Sequence, residues 1–284
     1  MKTTGIFKTH LVRVKMKRPD DIYHLIPFGD IHVDSPHHAT DRFHEDCQRW
    51  RKLDNALFLG MGDYTDFLST SERIQIRTGQ GVHESTESKL DKSARKDIAN
   101  LAKDLSFMKG NIIGCLNGNH YYQFKDGSTG DHLLAHELDT TFLGVAAFIR
   151  ITFEWPGKTA KASSIDIFAH HGAGGAQMAA IAKMAGWVDA DIVLQGHTHG
   201  RGVLPLDPII RLSRNQQGNM HVVEKQRWIG RTGSYLMAYV DGDSSYNVDA
   251  GRGPCSLDHI QFELTPNRHW NGHDILSVGV RGIA

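Results

Sequence analysis

Five short clusters in this 284-residue chain combine side chains that bind cations and move protons. Gly29-Asp30-Ile31-His32 sets a carboxylate and an imidazole two residues apart, so that one turn can aim both at a single cation. Gly62-Asp63-Tyr64-Thr65-Asp66 supplies a carboxylate able to bridge two metals and another Asp three residues on. Gly118-Asn119-His120 offers an amide oxygen to a metal shell beside an imidazole that can stay free. His170-His171-Gly172 and Gly196-His197-Thr198-His199 complete the set, and His-x-His in a tight turn can send one ring to each of two cations. Glycines before the aspartates let the backbone turn sharply. Histidine is also the unusual count, 18 of 284 residues, which points to metal. Carboxylates, imidazoles and an amide oxygen without a thiolate suit Mn²⁺, Fe, Zn²⁺ or Ni²⁺ more than Cu(I).

These clusters fall just after short apolar runs: Ile22 to Phe28, Asn55 to Leu59, Asn111 to Leu116, Ile165 to Ala169 and Asp191 to Gln195. Such runs predict buried strands, and the ends of strands are where an open α/β sheet presents its ligand site. Leu90, Ala94, Ile98, Leu101, Leu105 and Met108 recur at helical steps, and Met178, Ile181, Ala182 and Ala185 do so more weakly. Strands alternating with helices predict an α/β fold. Arg201 to Val240 is rich in β-branched residues and turn signals, which predicts a second, mostly antiparallel sheet, with Ile275 to Ile283 as a closing strand. Ser69 to Ser88 is polar and lacks periodicity, the pattern of a surface loop or lid, and Gly and Pro between Asn247 and Pro254 mark a second place for a cap.

Composition excludes several classes. With 40% hydrophobic and 23% charged residues the chain is ordinary globular material, and 32 basic against 32 acidic residues disfavour a non-specific nucleic-acid coat. Met1 to Pro19 lacks the apolar core of a signal peptide, and no apolar run is long enough to span a membrane, so a soluble cytoplasmic protein is expected. Three distant cysteines, Cys47, Cys115 and Cys255, read as buried free thiols.

Each cluster alone also occurs as a turn or a satisfied surface group; all five in this order, each at a strand end, point together to a dinuclear site. The order Asp-x-His, Gly-Asp-x-x-Asp, Gly-Asn-His, His, Gly-His-x-His, from Asp30 to His199, resembles the calcineurin-like metallophosphoesterase superfamily. The resemblance implies that family's α/β fold over residues 1–284, a four-layer αββα sandwich of two mixed β-sheets flanked by helices, with a loop or lid at 69–88. It also implies two divalent metal ions, Mn²⁺ being the ion expected. Asp30, His32 and His199 would hold one, Asn119, His170 and His197 the other, and Asp63 would bridge them. Of His170 and His171 the family takes the first residue beyond the strand, read here as His170, leaving His171 as a substrate contact or a solvated neighbour. His120 matches the family's non-ligand histidine, and Asp66 would hydrogen-bond it and raise its basicity.

The chemistry agrees with this assignment. Two cations about 3.5–4 Å apart can clamp a phosphoryl group and acidify a bridging water, whose hydroxide attacks phosphorus in line. His120 would then donate a proton to the leaving oxygen. Protein Ser/Thr phosphatases of the superfamily follow Gly-Asp-x-x-Asp with Arg-Gly and Gly-Asn-His with Glu, whereas Phe67-Leu68 and Tyr121-Tyr122 follow here, which argues against a phosphoprotein substrate. Arg201 could reach a phosphate oxygen or be a solvated turn residue. A phosphodiesterase is the expected activity. A DNA or RNA nuclease, a phosphomonoesterase and a scaffold that lost its metals are the alternatives, the last disfavoured because every ligand position is filled. Lys8 to Arg18 alternates basic and apolar residues and could track a nucleic-acid backbone, but reads better as the wet face of an edge strand. His37 and His38 line the entrance or lie in a solvated turn, and Trp187, Trp228 and Trp270 are expected in core or edge packing.

Overall fold

The computed structural model describes residues 5, 7–67, 84–155, 162–172, 178–214, 218–240, 253–270 and 274–284. One mixed sheet has six strands: β2 (Tyr23–Phe28), β3 (Ala56–Gly60), β4 (Ile112–Leu116) and β5 (Phe142–Gly144) run parallel, and the hairpin of β12 (Gln261–Trp270) and β13 (Asp274–Ile283) joins β2 antiparallel. The other has seven: β1 (Lys8–Lys15), β6 (Ala146–Glu154), β7 (Ala162–His170), β8 (Ile192–Gln195), β10 (Met220–Ser234) and β11 (Asp258–His259) in that order, with β9 (Arg201–Arg214) paired to β10.

The strands are apolar on both faces because both faces are covered. Leu25, Leu57, Leu59, Ile113 and Leu116 of the six-stranded sheet pack against Ile149, Ile151, Phe153, Ile167, Ile192 and Leu194 of the seven-stranded one, forming the core between the sheets. The outer face of the six-stranded sheet, with Ile26, Phe28 and Phe58, is covered by α1 (Thr40–Trp50), α2 (Glu84–Asp104) and α3 (Gly130–Glu137). On the far side, α4 (Met178–Ala185) seats Ile181 and Ala185 against Phe168, Val193 and Ile229. Four layers result, as expected. The helical stripe holds except at its first residue: Leu90 is exposed, Ala94, Ile98, Leu101 and Leu105 of α2 and its neighbouring turn are buried, and Met108 closes the stripe in a short 3-10 turn, Ser106–Met108.

Three expectations change. Arg201 to Val240 does not build a separate sheet: Trp228–Arg231 of β10 pair parallel with Ile192–Gln195 of β8, so the hairpin extends the seven-stranded sheet and buries Ile229 under α4. The expected lid ends in a helix, because α2 starts at Glu84; residues 68–83 lie outside the described residues, as do 247–252 of the second expected cap. Trp187 is 74% exposed rather than packed, with the Lys183 ammonium 5.8 Å from its ring centre; Trp228 packs at the inter-sheet core, and the side chain of Trp270 lies outside the described residues. The closing strand is β13. β1 is the edge strand expected of Lys8 to Arg18, with Val12 and Val14 turned to the core and Arg13 paired to Glu154 at 2.8 Å. Among the described residues no helix is long and apolar enough to cross a membrane.

Cys47 and Cys115 are buried, and burial pushes each thiol up to about 12; Cys255 is half-buried, not buried as expected. Since the thiolate is the nucleophile, alkylation of the native protein at pH 8 should modify Cys255 first, with the other two reacting only after unfolding. Peptide mapping by mass spectrometry checks this, and equal labelling of all three would contradict the packing.

Candidate metal centre

The ligand-type residues leave the strand ends in an unusual backbone conformation. Among the described residues, seven other than glycine have positive φ, and five of them are Asp30 (44°), His32 (51°), Asp63 (50°), His197 (65°) and His199 (55°). Asp, Asn and His tolerate this region better than other side chains, but it is sparsely populated and clusters at functional sites. Two glycines make the turns possible. Gly62, at φ 96°, carries its hydrogen where a Cβ would lie 2.6 Å from the Gly118 Cα, and a Cβ on Gly118 would collide with the Asp63 backbone nitrogen and carboxylate.

Two groups of side chains result. Asp30, His32 and His199 form one, and Asp63, His171 and His197 the other, the donor atoms within each group lying within 4.8 Å of one another. Each group takes residues from both sheets: Asp30, His32 and Asp63 follow β2 and β3, while His171, His197 and His199 follow β7 and β8. In the first group the His32 and His199 rings sit 5.1 Å apart, His199 Nε2 is 3.5 Å from Asp30 Oδ1, and Asp30 Oδ2 accepts the His197 amide at 3.0 Å. In the second, Asp63 Oδ1 accepts the amides of Asn119 (2.6 Å) and His120 (2.8 Å), which turns Oδ2 toward His171 Nε2 at 3.1 Å. Asn119 Oδ1 lies 2.9 Å from the same nitrogen.

His171, not His170, therefore occupies the place expected of the ligand in the fourth cluster. The physical reason is the length of β7, which pairs His170 with Ala146 and so runs one residue past Ala169. The first residue beyond the strand is His171. His170 is half-buried, and the alternation of β7 sets it on the face of Phe168, away from the inter-sheet core.

The polar atoms of the two groups fit a cation. Asp30 Oδ1, His32 Nε2 and Asp63 Oδ2 are buried without a hydrogen-bond partner. A carbonyl can only accept, so His171 Nδ1 donates to Met61 O at 2.7 Å, and its Nε2 faces two acceptor oxygens, Asn119 Oδ1 and Asp63 Oδ2. That arrangement is repulsive unless a positive charge lies there. The titration directions express the same demand for positive charge, which a protonated His171 also meets. Burial lowers His171, but Asp63 and Asp30 outweigh it and push it up to about 9. Burial raises Asp63, yet His171 and His32 hold it well below the usual carboxylate range, while burial pushes Asp30 up to about 7 against the pull of His171.

His120 belongs to neither group. Its Nδ1 and His32 Nδ1 each lie 3.1 Å from Asp66 Oδ1, so Asp66 orients both rings, one more than expected. Arg201 is drawn toward a carboxylate: its Nη1 donates to Asp258 Oδ2 at 2.8 Å. Near the fifth cluster the guanidinium is Arg231, whose Nε donates to Thr198 Oγ1 at 3.1 Å. Ser234 and Tyr235 also escaped the sequence reading; the Ser234 hydroxyl and the Tyr235 amide both donate to the Asp30 carbonyl, at 2.9 and 3.0 Å. No local pattern marks them, since they meet Asp30 from 204 residues away. Of the two histidines at the expected entrance, His38 is buried with Nδ1 donating to Ile31 O at 2.9 Å, and His37 is half-buried.

Gly118→Ala should destabilise the protein by about 1–3 kcal/mol, the cost of overpacking a closed site. Gly253→Ala, where nothing lies within 4 Å, should change stability little. Denaturant unfolding of both variants checks the contrast, and a silent Gly118→Ala would contradict the close approach.

No family model and no curated protein matches the chain. Solved structures similar to it include zinc-bound Vps29 from Entamoeba histolytica, at 13% identity and TM-score 0.36 over 92% of this chain and 98% of that one. An archaeal phosphodiesterase is similar at 11% identity and TM-score 0.38, over 92% and 98% of the two chains. Vps29 from Cryptosporidium parvum is similar at 11% identity and TM-score 0.41, over 93% and 100%. This chain's own two facing mixed sheets with helices outside them are the architecture that a resemblance to calcineurin-like metallophosphoesterases implies.

Proposed function

We propose that this chain is a dinuclear-metal-dependent hydrolase of phosphate esters and, more narrowly, a phosphodiesterase. The observation that carries the reading is the pair of adjacent Asp-His-His groups, with Asp30 Oδ1 and His32 Nε2 buried and lacking a hydrogen-bond partner, and His120 beside them bound to Asp66. Asp30, His32 and His199 would hold one cation, Asn119, His171 and His197 the other, with Asp63 between them. When bound, such a pair supplies Lewis-acid polarisation of a phosphoryl oxygen and an acidified water. Mn²⁺ suits the oxygen and imidazole donors, as do Fe, Zn²⁺ and Ni²⁺.

The chain's own residues do the rest. Two backbone amides hold Asp63 Oδ1, so this carboxylate presents Oδ2 in a fixed direction. Asp66 accepts from His120 Nδ1 and fixes the tautomer, which leaves Nε2 as the atom that carries a proton to the leaving oxygen. The preference for diesters is supported by what surrounds the groups. A monoester dianion calls for a fixed cation on its second charge, and the two guanidiniums described beside the fifth cluster already have protein partners, Arg201 in Asp258 and Arg231 in Thr198. Phe67 and Tyr121 stand where the resemblance would set charged residues for a phosphoprotein, and Phe67 stacks edge-on against Tyr122 at 5.7 Å.

Hydrolysis of a chromogenic phosphodiester and its matching monoester by metal-stripped protein, with and without Mn²⁺, tests the reading. Mn²⁺-dependent turnover favouring the diester is expected; a monoester preference would make the protein a phosphatase, and no turnover of either would overturn the enzyme reading. Asp63→Asn should lower both bound metal and rate, and full occupancy at full rate would remove Asp63 from the shared position. His120→Ala should keep both metals and slow hydrolysis by about 10²–10⁴-fold, most for leaving groups that need a proton. Loss of a metal in that variant would make His120 a ligand instead.

A further inference from the structure

Behind one of the two groups lies a charged cluster that the chemistry above does not use. Asp258 accepts from three guanidiniums at once: Arg42 Nη2 at 3.0 Å, Arg49 Nη2 at 3.2 Å and Arg201 Nη1 at 2.8 Å. Arg42 and Arg49 have a second carboxylate, buried Asp46, at 3.4 and 2.9 Å, whereas Arg201 is held by Asp258. Arg201 begins β9 two residues after His199. Next to Asp258, the buried His259 ring lies against Tyr235 and Trp50 and sets Nε2 2.9 Å from the Gly29 carbonyl oxygen and 3.1 Å from the Gly29 amide. Gly29 precedes Asp30. Tyr235 closes the circuit, its hydroxyl donating to Asp46 at 2.7 Å and its amide to the Asp30 carbonyl at 3.0 Å.

We propose that Asp258 and His259 are positioning residues for the Asp30–His32–His199 metal site above the other. The inference rests on the two-metal reading of the preceding section. One arm, from Asp258 through Arg201, fixes the exit of the His199 turn; the other, from His259 through Gly29, fixes the entry of the Asp30 turn. Both turns hold left-handed residues, which relax when the groups around them no longer determine them. The second group has braces of its own, through Met61 O on His171 and the Asn119 and His120 amides on Asp63, and meets the first where the His197 amide bonds Asp30 Oδ2. Removing Asp258 leaves Arg42 and Arg49 their bonds to Asp46 and releases Arg201, so the damage is directed at His199.

Mn²⁺ titration of the stripped, full-length protein by calorimetry, with elemental analysis of the loaded protein, separates the two sites. Wild type should take up two equivalents. Asp258→Asn and His259→Phe, the second keeping the buried ring but losing its nitrogens, should each weaken one equivalent by at least about tenfold and the other by clearly less, and Asp258→Glu should restore part of the loss. A general loss of structure would weaken both equivalents to the same degree, so that outcome overturns the inference, as does retention of both at wild-type affinity. Thermal melts of the stripped variants distinguish the cases if one of them folds poorly. A wild type that binds fewer than two equivalents would overturn the two-metal reading first and this inference with it.

Discussion

The close approach of strand-end turns governs this molecule. Gly62 and Gly118 touch across β3 and β4 with no room for a side chain between them, and that contact lets the amides after Gly118 grip the Asp63 carboxylate. Asp30 and Asp63 can then sit in left-handed backbone, buried, with oxygen atoms facing imidazoles instead of solvent. Such placement costs free energy in desolvation and in backbone strain, and a fold tolerates it where surrounding contacts over-determine the geometry. Here the two sheets and their glycines provide that determination.

Much of this was legible in the chain itself. Continuous apolar runs ending at glycine marked β2, β3, β4, β7 and β8 to within a few residues, because strands covered on both faces have no polar alternation to confuse them. The histidine in the fourth cluster was misplaced by one residue, since the end of β7 is set by its pairing with Ala146 and not by its own composition. The β9–β10 hairpin was recognisable as antiparallel, but its addition to the sheet depends on four pairs with β8, which no local pattern encodes. Arg201 looked available in sequence and is bound to a carboxylate 57 residues away. The contacts of Asp258, His259, Ser234 and Tyr235 were illegible for the same reason: each is a single residue meeting its partner across a long sequence separation.

The two groups also differ in what supports them. Asp63 is held by backbone amides of the neighbouring turn, a short and rigid arrangement. Asp30 is held by β10 and β11, elements that come late in the chain, so its geometry depends on the completed seven-stranded sheet. Asp66 links the first group to His120 through one shared oxygen, so the orientations of the His32 and His120 rings are coupled through the same carboxylate.

Because each group draws side chains from both sheets, an ion held by either acts as a rivet through the middle of the sandwich. A ligand that binds only the folded state at one hundred times its dissociation constant adds about 2.7 kcal/mol to stability. The hydrophobic contacts between Leu59, Leu194 and their neighbours press the sheets together without direction. A cation between Asp30 and His199 would instead tie named atoms of one sheet to named atoms of the other, so that its grip on the site and the cohesion of the two halves become one quantity.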